Sequence, residues 1–266
     1  MIPKRIHYCW FGRNPLPKLA KKCIKSWKKY CKGYEIIEWN EDNFNIEEAP
    51  LYVRQAYEAK KWAFVTDYVR LYAMVKHGGI YMDTDVEVIK PLDKFLTHKA
   101  FSGFEDDVNI PTGIMGCEKG FPLFSELLYY YDGAKFINDD GSLNMTTNVD
   151  IITRMCKQKG FQQNGQFQNI EGFVLYPREY FCPASPKEID VTKSENTVAI
   201  HWFAGSWLDD KSKAIKEERI RNHKIRKRNR LKKKIKRFPK EIVKKILGEE
   251  IYNTVKSQLI DRKKNE

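Results

Sequence analysis

From about Tyr52 to Lys76 the apolar residues recur at helical spacing, with Ala63, Tyr68 or Val69, and Tyr72 or Ala73 on the inward side. The run stops at His77-Gly78-Gly79, and glycine supplies the left-handed backbone with which helices commonly close. Ile80-Tyr81-Met82 then begins an extended apolar segment. A helix delivered straight into a buried strand is the repeating unit of α/β domains.

The same alternation runs through the rest of residues 1 to about 210. Ile2–Tyr8 reads as a buried strand ending at Pro15-Leu16-Pro17, followed by a helix with Leu19, Cys23, Trp27 and Tyr30 on one face that closes near Gly33. Tyr34–Trp39 is a second strand, and further strands are expected near Phe101–Phe104, Ile114–Gly116 and Thr197–Trp202, with a helix near Pro122–Tyr131. Gly160–Pro183 mixes strand and loop. No internal repeat is present.

An apolar content of 42% with 13% aromatics excludes a disordered chain. No apolar run reaches the roughly 18 residues a bilayer span needs. Met1-Ile2-Pro3-Lys4-Arg5-Ile6 lacks the features of a signal peptide, so a cytoplasmic location is expected. The cysteines at 9, 23, 31, 117, 156 and 182 form no Cys-x-x-Cys pair and read as packed, reduced thiols. The net charge of +13 is unevenly held: Lys211–Glu266 carries 22 Lys/Arg against 7 Asp/Glu, and residues 1–210 carry 26 against 28. The expected organisation is therefore a nearly neutral domain, 1–210, and a basic tail, 211–266.

Asp83-Thr84-Asp85 follows the Ile80 strand directly. Residues at i and i+2 of an extended chain face one side, so both carboxylates can converge on one cation. Paired oxygen ligands suit Mg²⁺ or Mn²⁺ and a diphosphate bridged by it. With 15 aspartates in the chain, one Asp-x-Asp arises by chance, and a solvated strand end is the competing reading of the triplet alone. Asp67 and Arg70, three apart on the preceding helix, share a face among apolar Phe64, Val65, Val69 and Leu71.

Ala63-Phe64-Val65-Thr66-Asp67-Tyr68-Val69-Arg70-Leu71 with Gly78-Gly79-Ile80-Tyr81-Met82-Asp83-Thr84-Asp85 resembles the hallmark block of DXD-containing sugar transferases. That family includes the yeast-type initiating mannosyltransferases, the clostridial glucosylating toxins and bacterial capsule and exopolysaccharide transferases. The opening Ile2–Gly12 and the block His201-Trp202-Phe203-Ala204-Gly205-Ser206-Trp207 are similar to it as well. The resemblance implies a GT-A-type, Rossmann-like nucleotide-sugar-binding domain and retention of anomeric configuration. By position it implies Asp85 as direct metal ligand and Asp83 as contact to donor hydroxyls and, through water, the metal. It implies Asp67 and Arg70 as the pair holding sugar hydroxyls, Trp10 as the ring stacked on the base and His201 as a second metal ligand. Ser206 and Trp207 would touch metal or the leaving β-phosphate. Trp10 can also be read as a core aromatic, His201 as a hydrogen-bonded strand-end histidine, and Tyr81 as packing.

The loops 109–116 and 144–150 are expected near sugar and acceptor, whose identity the residues do not give. In the tail, Ile215, Ile220, Ile225, Leu231 and Ile235 recur between lysines and arginines up to Pro239, and Ile242, Ile246, Ile251 and Val255 mark a second amphipathic helix. A basic amphipathic helix fits an anionic membrane surface. The expected partners are a nucleotide sugar, a saccharide acceptor carried on lipid, and that surface, with nucleic acid disfavoured because no base-stacking cluster accompanies the basic run. Two other readings compete: a metal-dependent phosphodiesterase or nuclease with a nucleic-acid-binding tail, and a silent carbohydrate-binding scaffold.

Overall fold

The computed structural model describes residues 1–184, 191–205, 210–237 and 248–254. The chain divides into two units, Met1–Trp207 and Leu208–Glu266.

The first unit opens as the apolar spacing dictates: β1 (Arg5–Cys9), α1 (Lys18–Tyr30) and β2 (Glu35–Trp39). The single helix expected over Tyr52–Lys76 is two, α2 (Leu51–Glu58) and α3 (Trp62–His77). Lys60 between them has φ of 55°, which breaks the helical path although no glycine or proline marks the place. The α3 helix ends as expected, on Gly78 at φ 66° and Gly79 at φ 116°. A Cβ on Gly78 would lie 2.7 Å from the Lys119 main-chain nitrogen, so this turn admits no side chain. Then come β3 (Gly79–Met82), β4 (Val86–Val88), β5 (Ala100–Gly103), β6 (Ile114–Cys117) and α4 (Pro122–Tyr129). A helix not anticipated, α5 (Asn148–Gln158), follows, and β7 (Gln168–Ile170), β8 (Phe173–Tyr176) and β9 (Ala199–His201) complete the unit.

Seven strands form one sheet in the order β2-β1-β3-β6-β5-β8-β7. The β2, β1 and β3 strands are mutually parallel, whereas β6 runs antiparallel to both β3 and β5. This is the α/β arrangement, parallel-rich on one side, expected of a GT-A-type domain. One apolar core joins the buried faces of α2, α3, α4 and α5 to residues such as Tyr81. A second joins α1 and β4 to Ile6 and Ile80. The alternation of Ile80 and Tyr81 along β3 thus sends neighbouring side chains to opposite faces of the sheet. All six cysteines are buried and free.

His7 locks this side of the sheet. Its buried ring accepts from the Trp39 indole N–H at 3.1 Å and donates to the Gly78 carbonyl at 2.9 Å. Burial pushes the imidazole down to about 4, against the pull of that carbonyl, and keeps it neutral.

In the second unit, α6 (Asp210–Arg237) is a 28-residue helix with Ile215 and Ile225 exposed. Of the second expected tail helix only Ile251 falls among the described residues, in helical backbone at 249–254; Ile242, Ile246 and Val255 lie outside them. No described helix is long and apolar enough to cross a membrane.

Candidate metal and donor site

Parallel pairing of β1 with β3 puts the carboxyl ends of both strands on one edge, where open α/β sheets bind ligands. Asp83 leaves that edge from β3 and its N–H donates to the Gly113 carbonyl at 2.8 Å, tying it to the start of β6. Asp85 turns into β4, which pairs antiparallel with β9 in a separate two-stranded sheet; Val86 faces His201 in register. Residues as far apart in sequence as Val86 and His201 are joined in this way by one ladder.

One ligand atom from each of Asp83, Asp85 and His201 can be chosen so that all three lie within 4.8 Å of one another. His201 Nε2 stands 3.3 Å from Asp85 Oδ1, and Asp85 Oδ2 accepts the Ala204 N–H at 2.6 Å. The Trp202 N–H also reaches the Asp85 carbonyl at 3.0 Å, so the 201–204 segment wraps the acid. Phe203, at φ 49°, takes the left-handed backbone in that wrap, and its ring packs 4.0 Å from the His201 ring. Burial opposes charge on both partners, yet each charges the other: His201 is held well above its ordinary range by Asp85, and Asp85 below its own by His201.

This donor set fits a divalent cation. His201 Nδ1 is buried with no nitrogen or oxygen hydrogen-bond partner, the weakly polar Cys182 thiol being the ring's other neighbour, which leaves the imidazole free to serve as a ligand. The space beside it is kept by Gly113, where a Cβ would lie 2.8 Å from the imidazole and 3.2 Å from Asp83 Oδ2. Two carboxylates and an imidazole are suitable ligands for Mn²⁺ or Mg²⁺.

A buried charge cluster adjoins these residues. Arg70 Nη2 lies 3.3 Å from Asp67 Oδ1 and 3.4 Å from Asp83 Oδ1. Its Nη1 donates to the Thr112 carbonyl at 2.9 Å and hydroxyl at 2.7 Å, and the guanidinium sits over the Tyr81 ring. Arg70 and Asp67 are 6% and 7% exposed, so this is no surface pair. Burial raises Asp67 to about 6, above what Arg70 alone would set. The Tyr81 hydroxyl donates to Asp83 Oδ1 at 2.8 Å, so Tyr81 both packs and orients the acid. Trp10 is half-buried at the end of β1, its indole N–H on the Asn14 carbonyl at 2.5 Å. Ser206 and Trp207 lie outside the described residues.

Thr112, Gly113 and Asn148 fall in the loops 109–116 and 144–150 expected near sugar and acceptor, and Phe203 in the His201 block, but the supporting role of each was not foreseen. Asn148 alone had a legible signal, since Thr147-Asn148-Val149-Asp150 spells a capping box, and the Thr147 side chain does cap α5.

Residues 17–102 match the glycosyltransferase sugar-binding region containing DXD motif. Inositol phosphoceramide mannosyltransferase 3 of Schizosaccharomyces pombe is 29% identical over 131 residues, 48% of this chain and 36% of that protein. An uncharacterized glycosyltransferase of Acanthamoeba polyphaga mimivirus is 28% identical over 210 residues, 69% of this chain and 78% of that one. The mannosyl phosphorylinositol ceramide synthase of Saccharomyces cerevisiae is 24% identical over 232 residues, 84% of this chain and 56% of that protein. The chain thus spans only part of the two yeast proteins. A solved glycosyltransferase involved in glycosylation of the major capsid of PBCV-1 superposes with a TM-score of 0.43 at 14% identity, over 82% of this chain and 98% of that one.

Proposed function

We propose, for a chain that belongs to the glycosyltransferases with a DXD-containing sugar-binding region, that it moves a hexose from a nucleotide sugar to a saccharide acceptor with retention of anomeric configuration. The observation that carries this reading is the convergence of Asp83, Asp85 and His201 beside the buried Asp67–Arg70 pair.

Asp85 and His201 would hold Mn²⁺ or Mg²⁺, with Asp83 joining through Oδ2. A cation bound there neutralises the diphosphate and stabilises charge on the leaving β-phosphate oxygen. Asp83 spends Oδ1 on Tyr81 and Arg70, which fixes the direction of its other oxygen. Asp67 and Arg70, held rigidly from Thr112 and Asn148, present preset partners for sugar hydroxyls, which lowers the cost of ordering the donor. Trp10 would stack on the base, and the resemblance assigns Ser206 and Trp207 to metal or the leaving phosphate. In the transfer, the bond from the anomeric carbon to the β-phosphate oxygen breaks while an acceptor oxygen bonds on the same face. The acceptor proton passes to the departing phosphate.

The donor is a UDP-sugar in this reading, and the acceptor is carried on a lipid phosphate in capsule or exopolysaccharide synthesis. Two relatives are named for phosphoinositol ceramides, and the excess of 22 basic over 7 acidic residues in the tail suits a membrane peripherally bound from the cytoplasm.

The test is hydrolysis of UDP- and GDP-sugars with and without Mn²⁺, in wild type and Asp85→Ala. Metal-dependent hydrolysis lost in the variant is the expected result. Cleavage of nucleic acid with no action on any nucleotide sugar would reverse the assignment, and an inverted anomeric product by NMR would remove retention.

A further inference from the structure

A broad, solvent-open depression of about 450 Å³ lies between α5 and the loop 104–113, with Arg154, Lys157 and Gln158 exposed on its α5 side. The loop is fastened on both sides of it. The Ile110 N–H donates to Thr153 Oγ1 at 3.1 Å, and the Gln163 side chain donates to the Val108 carbonyl at 2.9 Å. Asp106 caps the loop internally, accepting the N–H groups of Val108 and Asn109 at 2.9 and 2.8 Å. The walls are therefore built rather than incidental.

Its α5 wall presents Asp150, Thr153, Arg154, Lys157 and Gln158, which spacing of three and four places on one helix face. Two of these are already engaged. Asp150 Oδ2 accepts from the Thr147 hydroxyl at 2.7 Å, and Thr153 holds Ile110. What faces the cavity unspent is mainly cationic: Arg154 and Lys157, each with no ion pair among the described residues, with Gln158, whereas the amide N–H groups of Asn109 and Gln163 are engaged by Asp106 and Val108 and only their side-chain oxygens remain to accept. No aromatic ring lines it, so an apolar ligand or stacked base finds little there.

The loop and the helix that border the cavity also carry supports of the donor site. The loop that forms one wall ends in Thr112 and Gly113, which hold Arg70 and border His201. The helix that forms the other begins at Asn148, which holds Asp67. Glu105, at the start of that loop, is within electrostatic reach of His201 and Asp83 as well as Asp150.

We propose that this cavity is the acceptor subsite and takes a saccharide bearing an acidic group, paired with Arg154 and Lys157, while the amides bind hydroxyls. The proposal rests on the transferase reading above. The shared chemistry is an anion on a sugar, from either a uronic carboxylate or a phosphate ester. Charge-assisted contacts to two cations give preference for the acid, and amides give preference for a saccharide over a bare anion.

Calorimetric titration of the full chain with digalacturonate, mannose 6-phosphate and neutral maltose tests it. Wild type binds at least one acidic probe about tenfold or more tightly than maltose, and Arg154→Gln/Lys157→Gln loses about that factor. A swap that keeps both charges, Arg154→Lys/Lys157→Arg, retains the preference, which separates charge recognition from misfolding. The better of the two acidic probes identifies the source of the anion. Equal affinity for acid and maltose, or an unchanged affinity in the charge-neutral double variant, overturns the proposal. Donor hydrolysis by the wild type separates the two readings: a wild-type chain that binds the acidic probe yet hydrolyses no nucleotide sugar sinks the transferase and keeps the cavity. Donor hydrolysis without acid preference does the reverse.

Discussion

Asn148 grips Asp67 twice, its main-chain N–H reaching Oδ2 at 3.3 Å and its side-chain amide donating to the Asp67 carbonyl at 2.7 Å. The Tyr131 hydroxyl donates to Asn148 Oδ1 at 2.6 Å and fixes which way that amide faces. The position of the buried acid on α3 is thus set from the first turn of α5, and the two helices hold the Asp67–Arg70 pair jointly.

Asn148→Asp sets a second buried carboxyl against Asp67 and replaces an N–H donor by an acceptor. Stability at pH 7 should fall by about 3 kcal/mol or more, because an unpaired buried charge is left. Urea unfolding reads this directly. A loss below about 1 kcal/mol would show that the grip on Asp67 matters little.

Gly113→Ala should fold but bind cation poorly, since the new methyl occupies the space between His201 and Asp83 Oδ2. Electron paramagnetic resonance of free Mn²⁺ in a titration should show affinity lower by about tenfold or more, in line with losses from displaced ligand supports. Wild-type affinity in that variant would show that the cation binds elsewhere.

Two buried groups oppose each other with pH. Asp67 is raised from 3.8 to about 6, so the folded chain holds more protons than the unfolded one between those values, and this contribution falls as pH rises. His7 is lowered from 6.5 to about 4, so the unfolded chain holds more, and this contribution rises with pH across nearly the same window. Each amounts to up to about 3 kcal/mol and they largely offset. Removing one exposes the other: from pH 4 to 6.5, stability relative to wild type should climb in Asp67→Asn and drop in His7→Gln. Parallel urea midpoints for all three proteins would refute the pairing.

Lys60 holds left-handed backbone without being glycine. Lys60→Gly should therefore raise stability by about 1 kcal/mol, visible as a higher Tm. A lower Tm would mean that the cost lies in the unfolded chain.

Truncation at Asp210 removes the tail and its excess positive charge. Flotation with anionic vesicles should lose the truncated protein and retain the full chain, because each basic residue near such a surface contributes about 1 kcal/mol. Equal flotation of the two would end the membrane reading of the tail.

The sequence made the central elements legible wherever one local pattern sufficed: the glycine pair after α3, the Asp-x-Asp after β3 and the shared face of Asp67 and Arg70. It hid what depends on long-range pairing. The break at Lys60 arises from backbone geometry that no residue type there announces. Thr112 and Gly113 matter only because β6 runs antiparallel beside β3, and a sheet order is not contained in the spacing of any one segment. Phe203 reads as an ordinary apolar residue until the wrap around Asp85 forces its backbone.

The β4–β9 ladder also orders events in time. The 83–85 half of the site lies one turn from its helix, whereas His201 must close a loop of more than a hundred residues to reach it, at an entropic cost recovered only once the ladder forms. On the proposed metal-site reading, a chain emerging from the ribosome carries its two acids long before the imidazole that completes them, and would stay inert until nearly the whole first unit has been synthesised and closed.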